Sequence, residues 1–357
     1  EKVNGTFYEL LQIPTLQLDW QGKLDLVDLV GLSKAEGIPE EYHRTLSSIH
    51  ILSGDARYSL SARGVLSPPI HLQHQGLYHL SKVRLTHHQI PFPVHIEEGR
   101  LEFSHRDLKW SDTKVGFDHS SLTTNGLWRQ GEKDPSLEIT AEGSMDLRDL
   151  FSLLRAPLFP EEVRSKTDGF EPLSGTSQFS FKGKSTSGPG LFTYEGEFFP
   201  RETSLLQKGN PVPLTLKEGE VSISNAGIGF SKTKIQSGSS SLTLDGWIRE
   251  GNVNLSTWGS VDLKQLFSLT QSPLFPDQIR SQVEGIQELS GGAEVRLKWQ
   301  GRMEDGIDAL KEGEIRLKAV DLHHREIPVP FSHFEGFISI TPGQIRVDGL
   351  KGKVGDS

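Results

Sequence analysis

The chain has 357 residues, 34% of them apolar, with 37 Gly, 19 Pro, no Cys and a formal net charge of −9. That length exceeds the usual size of one hydrophobic core and calls for several domains or an array of smaller units. The absence of cysteine removes disulfides, thiolate metal sites and cysteine nucleophiles, and an acidic balance without clustered Lys and Arg argues against a nucleic-acid partner, whose phosphates need concentrated positive charge.

In chain order the text repeats itself. Asn4-Gly5 opens the first strand-like stretch, and Lys23–Gly54 (KLDLVDLVGLSKAEGIPEEYHRTLSSIHILSG) follows. Pro91-Phe92-Pro93 comes six residues before Gly99, and Ser120–Arg129 (SSLTTNGLWR) leads into the block Ser144–Gly175 (SMDLRDLFSLLRAPLFPEEVRSKTDGFEPLSG). The same order then returns as Pro211-Val212-Pro213 with Gly219, Ser240–Arg249 (SSLTLDGWIR) and Ser260–Gly291 (SVDLKQLFSLTQSPLFPDQIRSQVEGIQELSG). The two blocks share 17 identities over 32 residues without a gap, and Lys23–Gly54 is a more diverged third copy with Asp25, Asp146 and Asp262 in register. A third Pro-x-Pro at Pro328-Val329-Pro330 precedes Gly336, and the spacing throughout is about 116 to 121 residues. We expect a partial repeat over 1–75, full repeats over 76–190 and 191–309, and a partial repeat over 310–357, as in a piece excised from a longer array.

Within each unit the apolar period is mostly two. Leu16 and Leu18, Leu101 and Phe103, Leu137 and Ile139, Val221 and Ile223, Leu242 and Leu244, and Val253 and Leu255 all alternate with polar residues. So do Val295, Leu297 and Trp299, then Ile315 and Leu317, Ile338 and Ile340, and Ile345 and Val347. This is the pattern of antiparallel strands with one apolar and one wet face. Asn125-Gly126 and Asp245-Gly246 lie inside such strands, so a bulge or bend competes there with a hairpin.

The period changes at Leu147, Leu150, Phe151 and Leu154, and again at Leu263, Leu266 and Phe267, predicting a short amphipathic helix in each block. Asp146 and Asp262 sit where its N-cap belongs, Gln265 suggests a capping box, and Pro160 and Pro276 start a second helix. Three closed sandwiches would need flexible linkers, and only Gly183–Gly190 (GKSTSGPG) has that composition; its counterpart Gly301–Ala309 (GRMEDGIDA) does not. A mostly β fold is therefore expected, with tandem ~118-residue repeats forming one elongated, curved antiparallel β-groove and a short helical hairpin per repeat. Some 17 strands at about 4.8 Å spacing would extend on the order of 80 Å. An apolar face of that length must either close on itself as a core or shelter something hydrophobic.

The motifs run in a fixed succession: Gly196-Glu197, Pro211-Val212-Pro213, Gly219-Glu220-Val221, Gly238-Ser239-Ser240-Ser241-Leu242, Gly246, Gly259-Ser260-Val261-Asp262-Leu263 and Leu266-Phe267-Ser268-Leu269. This succession resembles the repeats of the AsmA-like family, which includes the TamB-like and YhdP-like envelope proteins of Gram-negative bacteria, and the resemblance spans essentially the whole chain. It implies a periplasmic bridge-like lipid-transfer protein whose apolar β-groove carries phospholipid between the inner and outer membranes. It also implies an N-terminal membrane helix, which this sequence does not include, and membrane proteins as partners at either end. The expected ligand is a phospholipid or another acyl lipid, with no cofactor and no metal.

On that reading the lining of the groove is Leu16, Leu18, Leu101, Phe103, Leu137, Ile139, Val221, Ile223, Leu242, Leu244, Val253, Leu255, Val295, Leu297, Ile315, Leu317, Ile338, Ile340, Ile345 and Val347. The same alternation would also serve an ordinary sandwich core. Trp20 and Trp299 are either rim contacts or packing. His87-His88 and His323-His324 are neighbours on a strand, pointing to opposite faces, which disfavours a shared metal. No nucleophile elbow, zincin, Walker or dinucleotide motif occurs, so an enzyme is not expected. The alternatives are a structural or adaptor scaffold of the envelope without lipid conduction, and a carbohydrate-active or adhesive solenoid; an aromatic content of 8% weakens the latter.

Overall fold

A computed structural model describes residues 2–8, 14–28, 49–65, 71–104, 106–131, 134–157, 161–185, 192–208, 210, 212–270 and 283–355. The fold is mostly β, with eighteen strands among the described residues. Packing divides the chain into two compact units, Glu1–Thr167 with Gln178–Gly196, and Asp168–Ser177 with Glu197–Ser357.

The first unit begins with β1 (Lys2–Tyr8), β2 (Thr15–Asp25), β3 (Ile49–Val65), β4 (His71–His87), β5 (Val94–Phe103), β6 (Asp107–Phe117), β7 (Ser120–Arg129) and β8 (Ser136–Asp146), each paired antiparallel with the next. Helices α1 (Leu147–Leu154) and α2 (Glu161–Thr167) follow. Strands β9 (Phe170–Ser185) and β10 (Phe192–Gln207) each have residues in both units. The second unit continues with β11 (Leu214–Ser224), β12 (Gly227–Ser237), β13 (Ser240–Arg249), β14 (Asn252–Asp262), α3 (Leu263–Thr270), β15 (Ile286–Arg302), a 3-10 segment (Met303–Ala309), β16 (Leu310–His324), β17 (Phe331–Thr341) and β18 (Gln344–Val354). From β11 to β18 every strand again pairs antiparallel with the next. Many of the turns have only two residues, which obliges successive strands to pair as hairpins. Within the GRMEDGIDA text, Met303–Ala309 forms the 3-10 segment, tied down where the Met303 N–H donates to the Gly251 carbonyl at 2.8 Å.

One device recurs along both units. Lys82, Asp112, Glu202, Lys232 and Ala319 have φ between 46° and 51°, and each is followed by a buried residue, namely Val83, Thr113, Thr203, Thr233 and Val320. Register shifts at Trp110/Thr113, Phe230/Thr233 and Leu317/Val320 mark these as β-bulges. A bulge leaves an amide without its ladder partner, and here a side chain supplies the acceptor. Asn125 Oδ1 receives the Asp112 N–H at 2.8 Å, and Asp245 Oδ1 receives the Lys232 N–H at 3.2 Å. The Asn-Gly and Asp-Gly pairs thus serve bulges and not hairpins.

Opposite the bulge stands a glycine. Gly219 has φ +115°, and a Cβ on it would lie 2.4 Å from the Thr233 Cα. A bulge bends its strand, and the residues packed beside it are small. Ala56 and Thr233 are completely buried, and Ala293 is 2% exposed. In the first unit Ala56, Val83 and Leu26 form a cluster backed by Ile51, Tyr78, Leu80, Leu85 and Ile96.

The helices dock through a hydroxyl relay. Ser120 Oγ accepts from the Asp146 N–H at 2.9 Å and donates to Asp149 Oδ2 at 2.6 Å, tying the start of α1 to the β6–β7 turn. In the second unit Ser240 Oγ accepts from the Asp262 N–H at 3.0 Å and donates to Gln265 Oε1 at 3.2 Å. The predicted N-caps are in place: Asp146 Oδ1 accepts from the Arg148 N–H at 2.8 Å, and Asp262 Oδ1 from the Gln265 N–H at 3.0 Å. The capping box is not formed, because the serine hydroxyl stands between Gln265 and the N-cap amide it was expected to reach. The second helix predicted after Pro160 is α2, and the one at Pro276 lies outside the described residues.

Gly219→Ala is expected to destabilise the protein by about 2 to 4 kcal/mol, since the new methyl meets backbone at a left-handed φ; an unchanged midpoint in chemical denaturation contradicts this. Asp146 is buried, and hydrogen bonds from the Arg148 guanidinium hold its carboxyl below the usual range, outweighing the upward push of burial. Its folded pKa being depressed, its stabilisation is complete above the ordinary carboxylate pKa of about 3.9 and is lost as pH falls through the lowered folded value. Hydrogen exchange in α1 is therefore expected to accelerate in acid before the β-strands follow, and in Asp146→Asn to be fast already at neutral pH. Equal protection in the variant and the parent at neutral pH contradicts the relay.

Candidate functional site

In an antiparallel ladder, residues directly opposite one another share a face, so the register assigns every side chain. In the first unit Leu16 and Leu18 of β2 stand opposite Gly64 and Ala62 of β3, and β3 carries the same face to β4 through Tyr58↔Tyr78 and Leu60↔Gly76. Gly76↔Phe103 and Tyr78↔Leu101 carry it to β5, Leu101↔Trp110 and Trp110↔Gly126 to β7, and Gly126↔Ile139 with Trp128↔Leu137 to β8. All six lining residues predicted in this unit are therefore on one face.

The second unit repeats the arrangement. Val221↔Phe230, Ile223↔Ile228 and Phe230↔Gly246 bring β11, β12 and β13 together, and Leu244↔Thr257 with Gly246↔Leu255 and Ile248↔Val253 add β14. Leu242, two residues before Leu244, stands opposite Gly259, and Gly259↔Val295, Thr257↔Leu297 and Leu255↔Trp299 lead into β15. Val295↔Ile315, Ile315↔Ile338 and Ile338↔Val347, together with Ala293↔Leu317, Gly313↔Ile340 and Ile340↔Ile345, reach β18. All fourteen lining residues predicted here also share one face. Trp20 is on the apolar face of the first unit, opposite Val3 and Leu60, and Trp299 on that of the second, opposite Leu310.

None of the twenty is fully buried: eighteen are half-buried, and Ile345 and Val347 are exposed. The buried residues of this face are instead those at the bulges, such as Ala56, Thr233 and Ala293. Among the described residues, strands contact their neighbours in the chain, with α3 and the 3-10 segment packing on β14 and β15. No second sheet covers either apolar face among those residues.

Several residues of this face escaped the alternation rule. Tyr58, Leu60, Tyr78, Leu80, Trp110 and Trp128 in the first unit, and Ile228, Phe230, Ile235 and Ile248 in the second, belong to it. Each bulge inserts a residue and shifts the phase, so Phe230, Thr233 and Ile235 share a face without an even spacing. Aromatic rings cluster here, with Tyr78 and Phe103 stacked at 5.7 Å and Tyr58 at 6.3 Å from Tyr78. Burial, with a smaller contribution from Tyr58, pushes the Tyr78 hydroxyl pKa up and keeps it neutral.

The opposite face is charged and internally paired. Lys298–Glu312 at 3.5 Å, Arg296–Glu314 at 3.8 Å and Lys318–Glu294 cross from β15 to β16, and Lys114–Glu98 at 2.6 Å and Lys184–Glu138 at 2.7 Å do the same in the first unit. Hydrogen bonds from Lys318 and Lys184 hold the carboxyls of Glu294 and Glu138 below their usual range. A crevice of about 870 Å³ on this face is lined by Lys2, Asp19, Arg100, Glu102, Asp107 and Arg129 among others, and its charges pair with each other, as in Arg100–Glu102 at 2.6 Å and Arg129–Asp107 at 3.9 Å.

The histidine pairs stand where strands end: His87 closes β4 with His88 in the turn after it, and His323 and His324 close β16. His87 Nδ1 and His324 Nδ1 each accept the N–H two residues on, from Gln89 and Glu326, both at 3.2 Å. His87 and His88 do not point to opposite faces as a regular strand would require; their rings stack at 4.6 Å because the strand ends there. Among the described residues no group of three His, Asp or Glu could hold a metal, and no helix is long and apolar enough to cross a membrane. No family model, curated protein or solved structure matches the chain.

Proposed function

We propose that the chain is a lipid-carrying segment, in which the apolar faces line a groove that shields acyl chains while headgroups stay at its wet margins. The observation that carries this reading is that all twenty alternating apolar side chains expected to line the groove share a single face within each unit, eighteen of them half-buried. Such a face gains about 25 cal/mol per Å² of apolar surface covered, and an acyl chain entering it gains about 0.8 kcal/mol per CH₂ removed from water. A continuous lining lowers the cost of withdrawing a lipid from a bilayer without any catalytic group. The resemblance to AsmA-like repeats supports the same reading and extends it to phospholipid transfer across the periplasm, with membrane proteins at either end of the full-length protein.

Purified protein is expected to carry phospholipid detectable by native mass spectrometry and to accelerate transfer of a fluorescent phospholipid between vesicles. Leu244→Glu and Val295→Glu place a charge on the apolar face of the second unit and are expected to slow transfer roughly tenfold or more. Gln300→Glu, on the paired opposite face, is expected to leave it unchanged. Folded Leu244 and Val295 variants that transfer lipid at the parent rate contradict the proposal, as does a protein that binds none and works only as a docking scaffold.

A further inference from the structure

We infer that the polar face of the second unit carries a saccharide-binding crevice, in which Trp258 and Phe337 take the C–H faces of sugar rings and the charged side chains between them bond the hydroxyls. The crevice lies on the side opposite the proposed lipid lining and does not depend on it.

This crevice, of about 430 Å³, runs across β14, β15, β16 and β17 and is lined by Trp258, Glu294, Arg296, Glu314, Arg316 and Phe337 among others. The ladder places these six in two neighbouring rows on one face. Trp258 stands opposite Arg296 and Arg296 opposite Glu314, while Glu294 stands opposite Arg316 and Arg316 opposite Phe337. Trp258 therefore closes one end and Phe337 the other, three strand spacings apart, or about 14 Å at about 4.8 Å per strand. That span suits a short oligosaccharide and exceeds a single sugar.

The two rings are exposed, at 38% and 37%, on the face that carries the ion pairs. The fold does not require them, because the same places elsewhere in the chain hold charged residues. Trp258 comes four residues before the helix cap Asp262 and faces Thr243, whereas Glu142 comes four before Asp146 and faces Thr123. Phe337 follows Gly336 as Arg100 follows Gly99 and Glu220 follows Gly219. Large apolar groups kept in water where the fold asks for none mark a binding surface.

A pyranose ring has an apolar face of C–H groups and a rim of hydroxyls, each both donor and acceptor. Aromatic rings match the first, and charged donors and acceptors match the second with hydrogen bonds stronger than neutral ones. Both kinds of group are present here. Arg296 and Glu314 pair at 3.8 Å, and Glu294 is held by Lys318, whose hydrogen bond keeps its carboxyl below the usual range and ready as an acceptor. Arg316 forms no ion pair among the described residues, which leaves its guanidinium fork to the ligand. Because most of this charge is already paired, the crevice suits a polyhydroxylated ligand better than an ionic one.

Isothermal titration of the purified chain with maltohexaose, cellohexaose, xylohexaose and chitohexaose tests this site. At least one of them is expected to bind, with Trp258→Glu and Phe337→Glu weakening the binding about tenfold or more and Trp258→Tyr keeping most of it. Both glutamates copy what the chain places at equivalent positions, Glu142 and Glu220, so these variants are expected to unfold at the parent's denaturant midpoint. Leu244→Glu, on the opposite face, is expected to leave saccharide affinity unchanged, which separates this site from the lipid lining. Failure of all these oligosaccharides to bind, or equal affinity in Trp258→Glu and the parent, overturns the inference.

Discussion

A strand that alternates apolar and polar residues sorts them onto two faces, and in this protein the β-bulge sets the phase of that sorting. Each bulge places a residue at positive φ, sets a small side chain such as Thr233 or Val320 inside the bend, and faces it with a glycine such as Gly219 or Gly291. Threonine suits the place because its branched carbon fits the pleat while its hydroxyl returns to the strand, as Thr233 Oγ1 does to the Glu220 carbonyl at 2.7 Å. A residue at Gly219 that could not reach φ +115° would strain the strand at its close approach to Thr233. The bulges thus set the phase of each strand, and alternation on either side of them fixes which residues share its apolar face.

The two faces are held by different forces. On the polar face of each unit, lysine and glutamate pairs lie across neighbouring strands, where each contributes little to stability but keeps the surface wet and internally neutralised. On the apolar face, side chains are half-covered by their neighbours, among them aromatic rings such as Phe103 and Trp110. A face of that kind is stable only if the unsatisfied area is spread thinly or filled by a hydrophobic guest. The proposed lipid reading follows from this imbalance and needs no particular reactive residue.

Much of the strand pattern was legible in the sequence, because alternation over Val295, Leu297 and Trp299 or Ile338 and Ile340 leaves only one way to sort the faces. The helix caps were legible as well, since Asp146 and Asp262 stand just before the apolar stripe. What stayed hidden lies at the bulges: a single extra residue shifts the phase, so Leu80, Val83 and Leu85 look unrelated in the text although they pack in one cluster. The signal that could have revealed them was the Asn-Gly or Asp-Gly pair set on a strand opposite an Asp or Lys with no partner in the alternation. The serine relay was also hidden, because Ser120 and Ser240 read as ordinary turn residues until the helix start is seen to rest on them.

The central proposal is that the apolar face holds acyl chains, and neighbouring positions on one strand test it directly. A photoreactive amino acid at Leu244 lies on the apolar face of the second unit, and the same residue at Thr243 lies on the opposite one. Irradiation in cells or in the presence of phospholipid vesicles, followed by mass spectrometry, is predicted to yield a lipid adduct at position 244 and none at 243. Equal labelling at both positions, or protein adducts alone at 244, would contradict the account.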